Sequence, residues 1–357
     1  MKEDTMTSST PDATAMSPDD QQKGHTAVNA TTMQAIVQER FGGPEVLEYR
    51  TVPIPALDAD RVLVHVRAAS INPYDWHMIR ALPYVARAST GLTKPKAPIP
   101  GADFAGVVVA VGSEVTDFEA GDEVFGGIGG GAFAEYVAVK ATGIVKKPEN
   151  ASFAEAATAP MAGVTALQGL RDSAKLQPGQ HVAVVGAAGG VGTYAVMIAK
   201  AMGAEVTAIC STRNVDMVQS IGADHVVDYT TTDFTAQGVR YDVIFDVVST
   251  HSMADYRRAL TPEGVYVSAG ALDMSAWIGP FRHLGRIALG SVGRSQTMKP
   301  MLAHNSQEDL GILGSYLATG DITPVIDRSY PLDQVGDAME YIETMHARGK
   351  VVIAVSS

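Results

Sequence analysis

The sequence predicts an α/β protein in two parts, a compact β domain followed by a parallel sheet that helices cover on both faces. Three observations support this fold class. The length of 357 residues suggests two domains, because a domain has roughly 150 residues. Residues 33–150 contain short β-branched segments separated by Gly and Pro. From Ser152 onward, near-continuous apolar strands alternate with helical segments, which is typical of a parallel sheet.

Charge and composition exclude several classes of protein. The chain has 27 Lys and Arg against 39 Asp and Glu, a formal net charge of -12, so we expect no nucleic-acid partner. No membrane span is expected, because no uninterrupted apolar run reaches the roughly 18 residues required, and Lys200 interrupts the best candidate. Cys210 is the only cysteine, so neither an intramolecular disulfide nor a Cys-rich zinc site can form. With no recognisable signal peptide, these features lead us to expect a cytoplasmic protein.

Residues 1–32 are expected to be a disordered tail. They are rich in Ser, Thr, Asp and Gln and contain no aromatic residue, so they cannot bury enough apolar surface to offset the entropy lost on ordering. The segment has no Arg and five acidic residues, whereas a transit peptide is rich in Arg and poor in acids. The alternative is a mis-assigned start codon, with Met33 opening the folded domain.

The β domain is predicted from strand and turn signals. Its segments are enriched in β-branched residues and partly alternate between apolar and polar positions. Gly121 and Asp122 lie between two apolar stretches and indicate a chain reversal. The predicted strands include residues 33–38, 61–69, 106–111 and 132–139.

The second part begins with a helix-capping signal. Ser152 and Glu155 have the spacing of a capping box, and we expect one helix to reach Ala162 and a second to reach Leu170. Further strands are predicted at 181–186, 205–210, 225–229, 241–248 and 264–270, with helices after Gly192 and up to Ile221. The chain is expected to end in a helix from Asp309, the segment 322–330, a helix at 332–343 and a strand at 350–355 that rejoins the β domain. The resulting domains are residues 33–155, 156–305 and the returning segment 306–357.

The glycine-rich segment 186–192 is the strongest local signal of a binding site. It follows a predicted strand and opens a predicted helix. Gly186 permits a tight turn, Gly189 lets the backbone approach a pyrophosphate, and Gly192 allows the helix to pack closely on the strand. The phosphates would lie on free N–H groups at the helix N-terminus, where the helix dipole is positive. The segment therefore predicts a dinucleotide site.

The end of the following strand indicates which dinucleotide binds. An NAD-preferring site places Asp or Glu there to accept a hydrogen bond from the ribose 2′-hydroxyl. This chain has Ser211, Thr212 and Arg213 instead, with no acidic residue until Asp216. Two hydroxyls and a guanidinium suit a 2′-phosphate, because Arg makes charge-assisted, forked hydrogen bonds. The sequence favours NADPH; the alternative is that Arg213 is a solvated residue at a helix start.

The order of several motifs resembles a known family. The motifs are NPYD at 72–75, PGADFAGVV at 100–108, GDEV at 121–124, Thr165-Ala166, the glycine-rich segment and HARGKVV at 346–352. This order resembles the medium-chain dehydrogenase/reductase superfamily, and within it the zinc-free quinone oxidoreductase-like branch. The resemblance covers residues 33–355. It implies a GroES-like β-rich catalytic domain interrupted by a doubly wound Rossmann domain, with the active site in the cleft between them.

The zinc ligands of the alcohol dehydrogenases in this superfamily are missing at the matching positions. Those enzymes carry Cys where this chain has Asn72, a His-Glu pair where it has Ala102 and Asp103, and a Cys near Ala162. They also carry a four-Cys lobe without a counterpart here. Catalytic zinc needs about three protein ligands, and only a carboxylate at Asp103 is left. The resemblance therefore implies no metal, and without a Lewis acid simple alcohol oxidation loses its means of stabilising an alkoxide.

The resemblance also implies catalytic and substrate-binding roles. Asn72 and His77 occupy the position of the substrate pocket, where Asn72 could donate to a substrate carbonyl. Tyr84 lies one residue beyond the position of a proton-donating Tyr in related enoyl reductases, so it is either that donor or a structural residue. Asp75 is expected to order its own turn.

Cofactor contacts are implied at strand ends and at the C-terminal motif. Thr165 should contact the nicotinamide ribose or ring, and Tyr229 should lie against the adenosine ribose and its 2′-phosphate. Arg348 and Lys350 either close over the cofactor or only flank the last strand. The other expected contacts are Ala188, Gly189, Gly190, Val191, Gly192, Val247, Ser268, Ala269 and Gly270, which lie in the glycine-rich segment or at C-terminal ends of strands.

The resemblance implies zinc-independent, NADPH-dependent reduction of acceptors that delocalise the incoming charge. Such acceptors are quinones, or the C=C bond of enones and enals, with the hydride chemistry supplied by the cofactor. Two alternatives are a non-catalytic NADPH-binding sensor or structural protein, and a zinc-dependent alcohol dehydrogenase. Many relatives pair Rossmann sheets edge to edge, so a homodimer is expected. Residues 80–94 and 271–300 are expected to line the substrate pocket.

Overall fold

The computed structural model describes residues 30–82, 84, 87–270, 287 and 295–355. The expected tail at 1–32 lies almost wholly outside the described residues, as does most of the pocket segment 271–300. The described strands are β1 Thr32–Gln38, β2 Leu47–Pro53, β3 Arg61–Ile71, β4 Asp103–Val111, β5 Glu123–Gly127, β6 Tyr136–Lys140, β7 Ile144–Lys146, β8 His181–Val185, β9 Glu205–Cys210, β10 His225–Asp228, β11 Tyr241–Asp246, β12 Leu260–Ser268, β13 Thr297–Pro300, β14 Ile326–Pro331 and β15 Lys350–Ala354. The described α-helices are α1 Pro73–Arg80, α2 Arg87–Thr90, α3 Phe153–Gln168, α4 Gly190–Ala201, α5 Val215–Ser220, α6 Met253–Ala259, α7 Gln307–Thr319 and α8 Val335–Glu343.

The first large sheet has the order β14-β15-β3-β4-β5-β7, with β6 also paired to β3. Its centre is apolar, since most of β3 and β15 is buried. The register places Val351 opposite Ile71, and Asp103 opposite Ser70. The start of β15, the start of β4 and the end of β3 therefore meet at one edge of this sheet.

The second large sheet is parallel throughout and has the order β10-β9-β8-β11-β12-β13. This is the strand order of doubly wound dinucleotide-binding folds, in which ligands bind where the order reverses. The reversal here lies between β8 and β11. The glycine-rich segment follows β8 directly, so it lies at the reversal point. The predicted α/β fold class is confirmed.

Helix α3 packs on the first sheet and against α4 and α7. The predicted capping box is confirmed, because Ser152 Oγ accepts from the Glu155 N–H and the Glu155 carboxylate accepts from the Ser152 N–H. The expected division into two helices is wrong, because α3 continues through Pro160 to Gln168. Burial of most of its residues against β3, β4, α4 and α7 offsets the local cost of proline in a helix. Within the described residues, no helix is long and apolar enough to cross a membrane.

Candidate active site

The turn after β8 is tightly packed at Gly186 and Gly192 but leaves space beside Gly189. Gly186 has a φ of +82°, and the Gly189 N–H donates to its carbonyl over 3.1 Å. A Cβ on Gly192 would lie 2.1 Å from the Gly186 oxygen, whereas a Cβ on Gly189 would meet nothing nearer than 3.6 Å. Helix α4 begins at Gly190. A parallel backbone bridge joins Gly189 to Gly349 on one side of this turn, and the N–H groups that follow in the first turn of α4 have no partner within the helix. These features fit a pyrophosphate resting on Gly189 and on the N-terminus of α4.

The ends of β11 and β12 form the opposite wall of this site. The buried Asp246 carboxylate accepts from the backbone N–H groups of Val248 and Ser249 over 2.9 and 2.8 Å, and from the Tyr266 hydroxyl over 3.0 Å. A Cβ on Gly270 would lie 2.3 Å from the Val247 oxygen, so these two segments touch through their backbones. The structure thus brings four of the expected contacts together at one edge of the parallel sheet, beside Gly186. They are Val247, Ser268, Ala269 and Gly270.

The loop after β9 carries the residues expected to recognise the 2′-phosphate. The Thr212 hydroxyl donates to Asp228 over 2.6 Å, and Arg213 Nη2 donates to the carbonyl of His346 over 2.6 Å. Tyr229 is 59% exposed beside this loop, with its N–H bonded to the Cys210 carbonyl. The carboxylate of Asp228 was not predicted in this loop, although Asp228 ends β10, the strand next to β9. The Thr212 hydroxyl is thus engaged by Asp228. Arg213 is the basic residue of this loop.

The C-terminal motif lies against the glycine-rich turn. The Gly349 N–H donates to the Ala188 carbonyl over 2.8 Å, and Gly349 has a φ of +68°. The Arg348 N–H donates to Asp327 while its side chain is exposed. Lys350 turns inward instead, and its aliphatic stem would lie 3.1 Å from a Cβ on Gly190. The segment that returns to the first sheet therefore joins the two halves of the molecule at the expected cofactor site.

A buried polar network fills the sheet edge behind this turn. Asn72 Nδ2 donates to Asp103 Oδ2 over 2.9 Å, and Lys350 Nζ donates to Asn72 Oδ1 over 2.5 Å. Lys350 Nζ lies 3.9 Å from Asp103 Oδ2. Asp103 also accepts from the Met161 N–H on α3 over 3.2 Å. Asn72, Asp103 and Lys350 are each at most 3% exposed.

Asp75 is the fourth buried member of this group. Its carboxylate accepts from the Asn72 N–H over 2.8 Å, so the expectation that it orders its own turn is confirmed. Burial raises the pKa of Asp75 to about 7, and the nearby Asp103 charge acts in the same direction. Burial also raises the pKa of Asp103, opposed by Lys350 and Asn72, and lowers the pKa of Lys350, opposed by both carboxylates. When Asp75 keeps its proton, the network contains one negative charge, on Asp103, and one positive charge, on Lys350.

The other expected site residues lie on α3, on α1 and just before α2. Thr165 Oγ1 donates to the Met161 carbonyl over 2.7 Å. His77 is half-buried on α1 with its ring edge-on to Trp76, and burial lowers its pKa to about 4. Because His77 is neutral at physiological pH, it can offer a hydrogen bond but not an imidazolium charge. Tyr84 lies under the Arg87 guanidinium, 4.7 Å from the ring centre.

The described residues do not fit a catalytic zinc. No three His, Cys, Asp or Glu side chains in that part of the chain lie close enough to hold a metal ion. The single carboxylate at the expected place, Asp103, is already bonded to Asn72 and faces Lys350. An ammonium at this position would repel a metal cation.

Fold and site together define a two-domain, dinucleotide-binding protein, and comparisons with known proteins give its family. Family models match residues 58–149, described as the alcohol dehydrogenase GroES-like domain, and residues 221–353, described as zinc-binding dehydrogenase. A chloroplast envelope quinone oxidoreductase homolog of Arabidopsis thaliana is 32% identical, covering 90% of this chain and 98% of that protein. An NADPH-dependent alkenal/one oxidoreductase of the same plant is 33% identical, over 93% of this chain and 84% of that protein. The solved quinone oxidoreductase of Coxiella burnetii has a TM-score of 0.80 and 31% identity, covering 91% of this chain and 100% of that one.

The chain belongs to the medium-chain dehydrogenase/reductase superfamily, in its quinone oxidoreductase-like branch. The family resemblance inferred from the motifs is confirmed. The residues that the motifs did not identify as site components are Asp103 and Asp228. In the sequence, Asp103 was noted only as the one carboxylate left at the zinc-ligand positions of related enzymes. Its bonds to Asn72 and Met161 depend on tertiary structure.

Proposed function

We propose that this protein is a zinc-independent, NADPH-dependent reductase of quinones or of the C=C bond of α,β-unsaturated carbonyl compounds. The observation that carries the proposal is the buried network of Asn72, Asp103 and Lys350. It takes the place of a metal-ligand set and lies directly against the glycine-rich turn. The relatives named as quinone oxidoreductase and alkenal/one oxidoreductase support the same acceptor class.

The residues of the site would bind and orient both reactants. Gly189 and the N-terminus of α4 would hold the pyrophosphate, Arg213 the 2′-phosphate, and Thr165 the nicotinamide end. Bound NADPH would supply the hydride. Asn72 would donate a hydrogen bond to the carbonyl oxygen of the acceptor, where negative charge develops as the hydride adds. The resulting anion takes a proton from solvent, leaving the reduced acceptor and NADP⁺.

Steady-state kinetics tests this function. NADPH consumption is followed by its absorbance with one ortho-quinone and one simple enal, in the presence of a chelator. Replacing Asn72→Ala is expected to lower kcat by about 100-fold, the usual cost of removing one donor to a developing oxyanion. Asn150→Ala is the matched control, because Asn150 bonds the Leu317 carbonyl away from the cleft. Failure of the wild-type protein to oxidise NADPH with either acceptor contradicts the proposal.

The domain division, assembly and location belong to the same proposal. Residues 33–155 and 306–357 would form the catalytic domain and 156–305 the NADPH-binding domain, supported by the pairing of β15 with β3. A homodimer would form at β13, the terminal strand of the described parallel sheet. Light scattering should then give twice the chain mass of 37.5 kDa.

A cytoplasmic location is supported by the lone buried Cys210 and is tested by cell fractionation.

A further inference from the structure

The carboxamide of Asn72 is held from both sides by opposite charges. Its oxygen accepts from the Lys350 ammonium over 2.5 Å, and its nitrogen donates to the Asp103 carboxylate over 2.9 Å. If the amide were turned over, its NH₂ group would face the ammonium and its oxygen would face the carboxylate. Both contacts would then be repulsive in a buried environment, where such interactions are strong. The two charges therefore allow one orientation of the amide.

That orientation leaves one hydrogen of the Asn72 amide unused. An Asn side chain has two N–H donors, and one of them is bonded to Asp103. Within the described residues, the Asn72 amide nitrogen donates no second hydrogen bond. The Lys350 ammonium also withdraws electron density through the amide oxygen, which makes the remaining N–H a stronger donor.

The buried ion pair of Asp103 and Lys350 contributes little to folding stability, because burial removes both charges from water. Asp103 and Lys350 are 1% and 3% exposed, and a buried ion pair is often no more stabilising than apolar side chains of similar volume. Lys350 is further anchored by the Ile71 carbonyl, 3.2 Å away, and Asp103 by the Met161 N–H on α3. Each charge is thus fixed to a different element, and both converge on Asn72.

We propose that Lys350 and Asp103 are positioning residues that act through Asn72. They hold its carboxamide so that the free N–H is presented to the carbonyl oxygen of the acceptor. This inference rests on the proposed function. It adds that a lysine and an aspartate outside direct contact with the acceptor set how strongly Asn72 stabilises the developing negative charge.

A double-mutant cycle tests the dependence on Asn72. Lys350→Met should lower kcat by about 100-fold, the cost of a lost oxyanion donor, with the KM for NADPH little changed. In the Asn72→Ala background the same substitution should cause no further loss of kcat, because the amide that it orients is gone. An equal further loss in that background overturns the proposal, since Lys350 would then act independently of Asn72.

A second variant separates positioning from folding. Lys350→Met leaves Asp103 as an unpaired buried charge, which is strongly destabilising, whereas removing both charges is far less so. The double variant Lys350→Met/Asp103→Asn should therefore regain much of the lost Tm while kcat stays low. Recovery of kcat together with Tm overturns the proposal, because the pair would then serve stability alone.

Lys147→Met is the matched control for losing a buried lysine. The Lys147 side chain is 4% exposed and bonds the Pro148 and Ala151 carbonyls, which are not part of the network around Asn72. The Lys147→Met variant should have a lower Tm and an unchanged kcat.

The wild-type assay separates the proposed function from the positioning role. An inactive wild type overturns both. An active wild type with an equally active Lys350→Met variant overturns the positioning role alone.

Discussion

Two glycines of the turn after β8 have different physical roles, which two single substitutions can separate. Gly192 is required for packing. A Cβ there would lie 2.1 Å from the Gly186 oxygen, while real Cβ contacts are not found under 3.0 Å, so α4 must move by about 0.9 Å. Gly192→Ala should cost about 1–3 kcal/mol of stability, as overpacked sites do, and should also weaken NADPH binding.

Gly189 is required for the ligand rather than for packing. Its φ of -85° suits any residue, and the nearest atom to an added Cβ is 3.6 Å away. Gly189→Ala should therefore change stability by less than about 0.5 kcal/mol. The methyl group would nevertheless occupy the surface that the pyrophosphate approaches. The Kd for NADPH should rise at least tenfold, equivalent to about 1.4 kcal/mol.

Thermal unfolding and a fluorescence titration with NADPH measure the two effects. Gly311→Ala in α7 is the control, because nothing lies within 4 Å of its added Cβ and alanine is favoured over glycine in a helix. It should raise Tm slightly and leave the Kd for NADPH unchanged. An unchanged Tm for Gly192→Ala, or wild-type NADPH affinity for Gly189→Ala, would refute the assignment of roles.

Three further predictions concern charge and pH. Arg213→Gln should raise the KM for NADPH by roughly tenfold while changing the KM for NADH little, because a charge-assisted hydrogen bond to the 2′-phosphate is lost; equal changes for both cofactors would contradict this. His77 has a folded pKa of about 4 against 6.5 unfolded, so the unfolded chain binds more protons and stability falls as pH drops through that window. His77→Gln should remove this fall in urea unfolding. Asp75 has a folded pKa of about 7 against 3.8 unfolded, so stability falls as pH rises between those values. Asp75→Asn should remove that opposite slope, and a wild-type slope in the variant would contradict the assignment.

Local patterns predicted the parts of the molecule that depend on neighbouring residues. The parallel strands are buried apolar runs, and β9 was predicted with its observed bounds, 205–210. The capping box at Ser152 and the glycine-rich turn were also visible, because each is set by residues three to six positions apart. The continuation of α3 through Pro160 was not, since that depends on packing against β3, β4, α4 and α7. The start of β12 at Leu260, before a Pro and a Gly, was missed because it depends on pairing with β11.

The buried network could be predicted only in part. Asn72 is 31 residues from Asp103 and 278 from Lys350, and only the register of β3 with β4 and β15 brings the three together. The family resemblance led us to expect Asn72 at the substrate pocket and left Lys350 open between two roles. The Thr212–Asp228 bond likewise depends on the pairing of β9 with β10. Side chains that meet across a sheet edge leave no periodic signal along the chain.

The most direct test of the account is to follow the hydride itself. The protein is stripped with a chelator and given a simple enal and NADPH carrying deuterium at the reactive C4 position. We expect turnover without metal and deuterium on the β-carbon of a saturated aldehyde, with turnover falling about 100-fold in Asn72→Ala. Deuterium on the carbonyl carbon of an alcohol, or a rate that returns only when zinc is added, would contradict it.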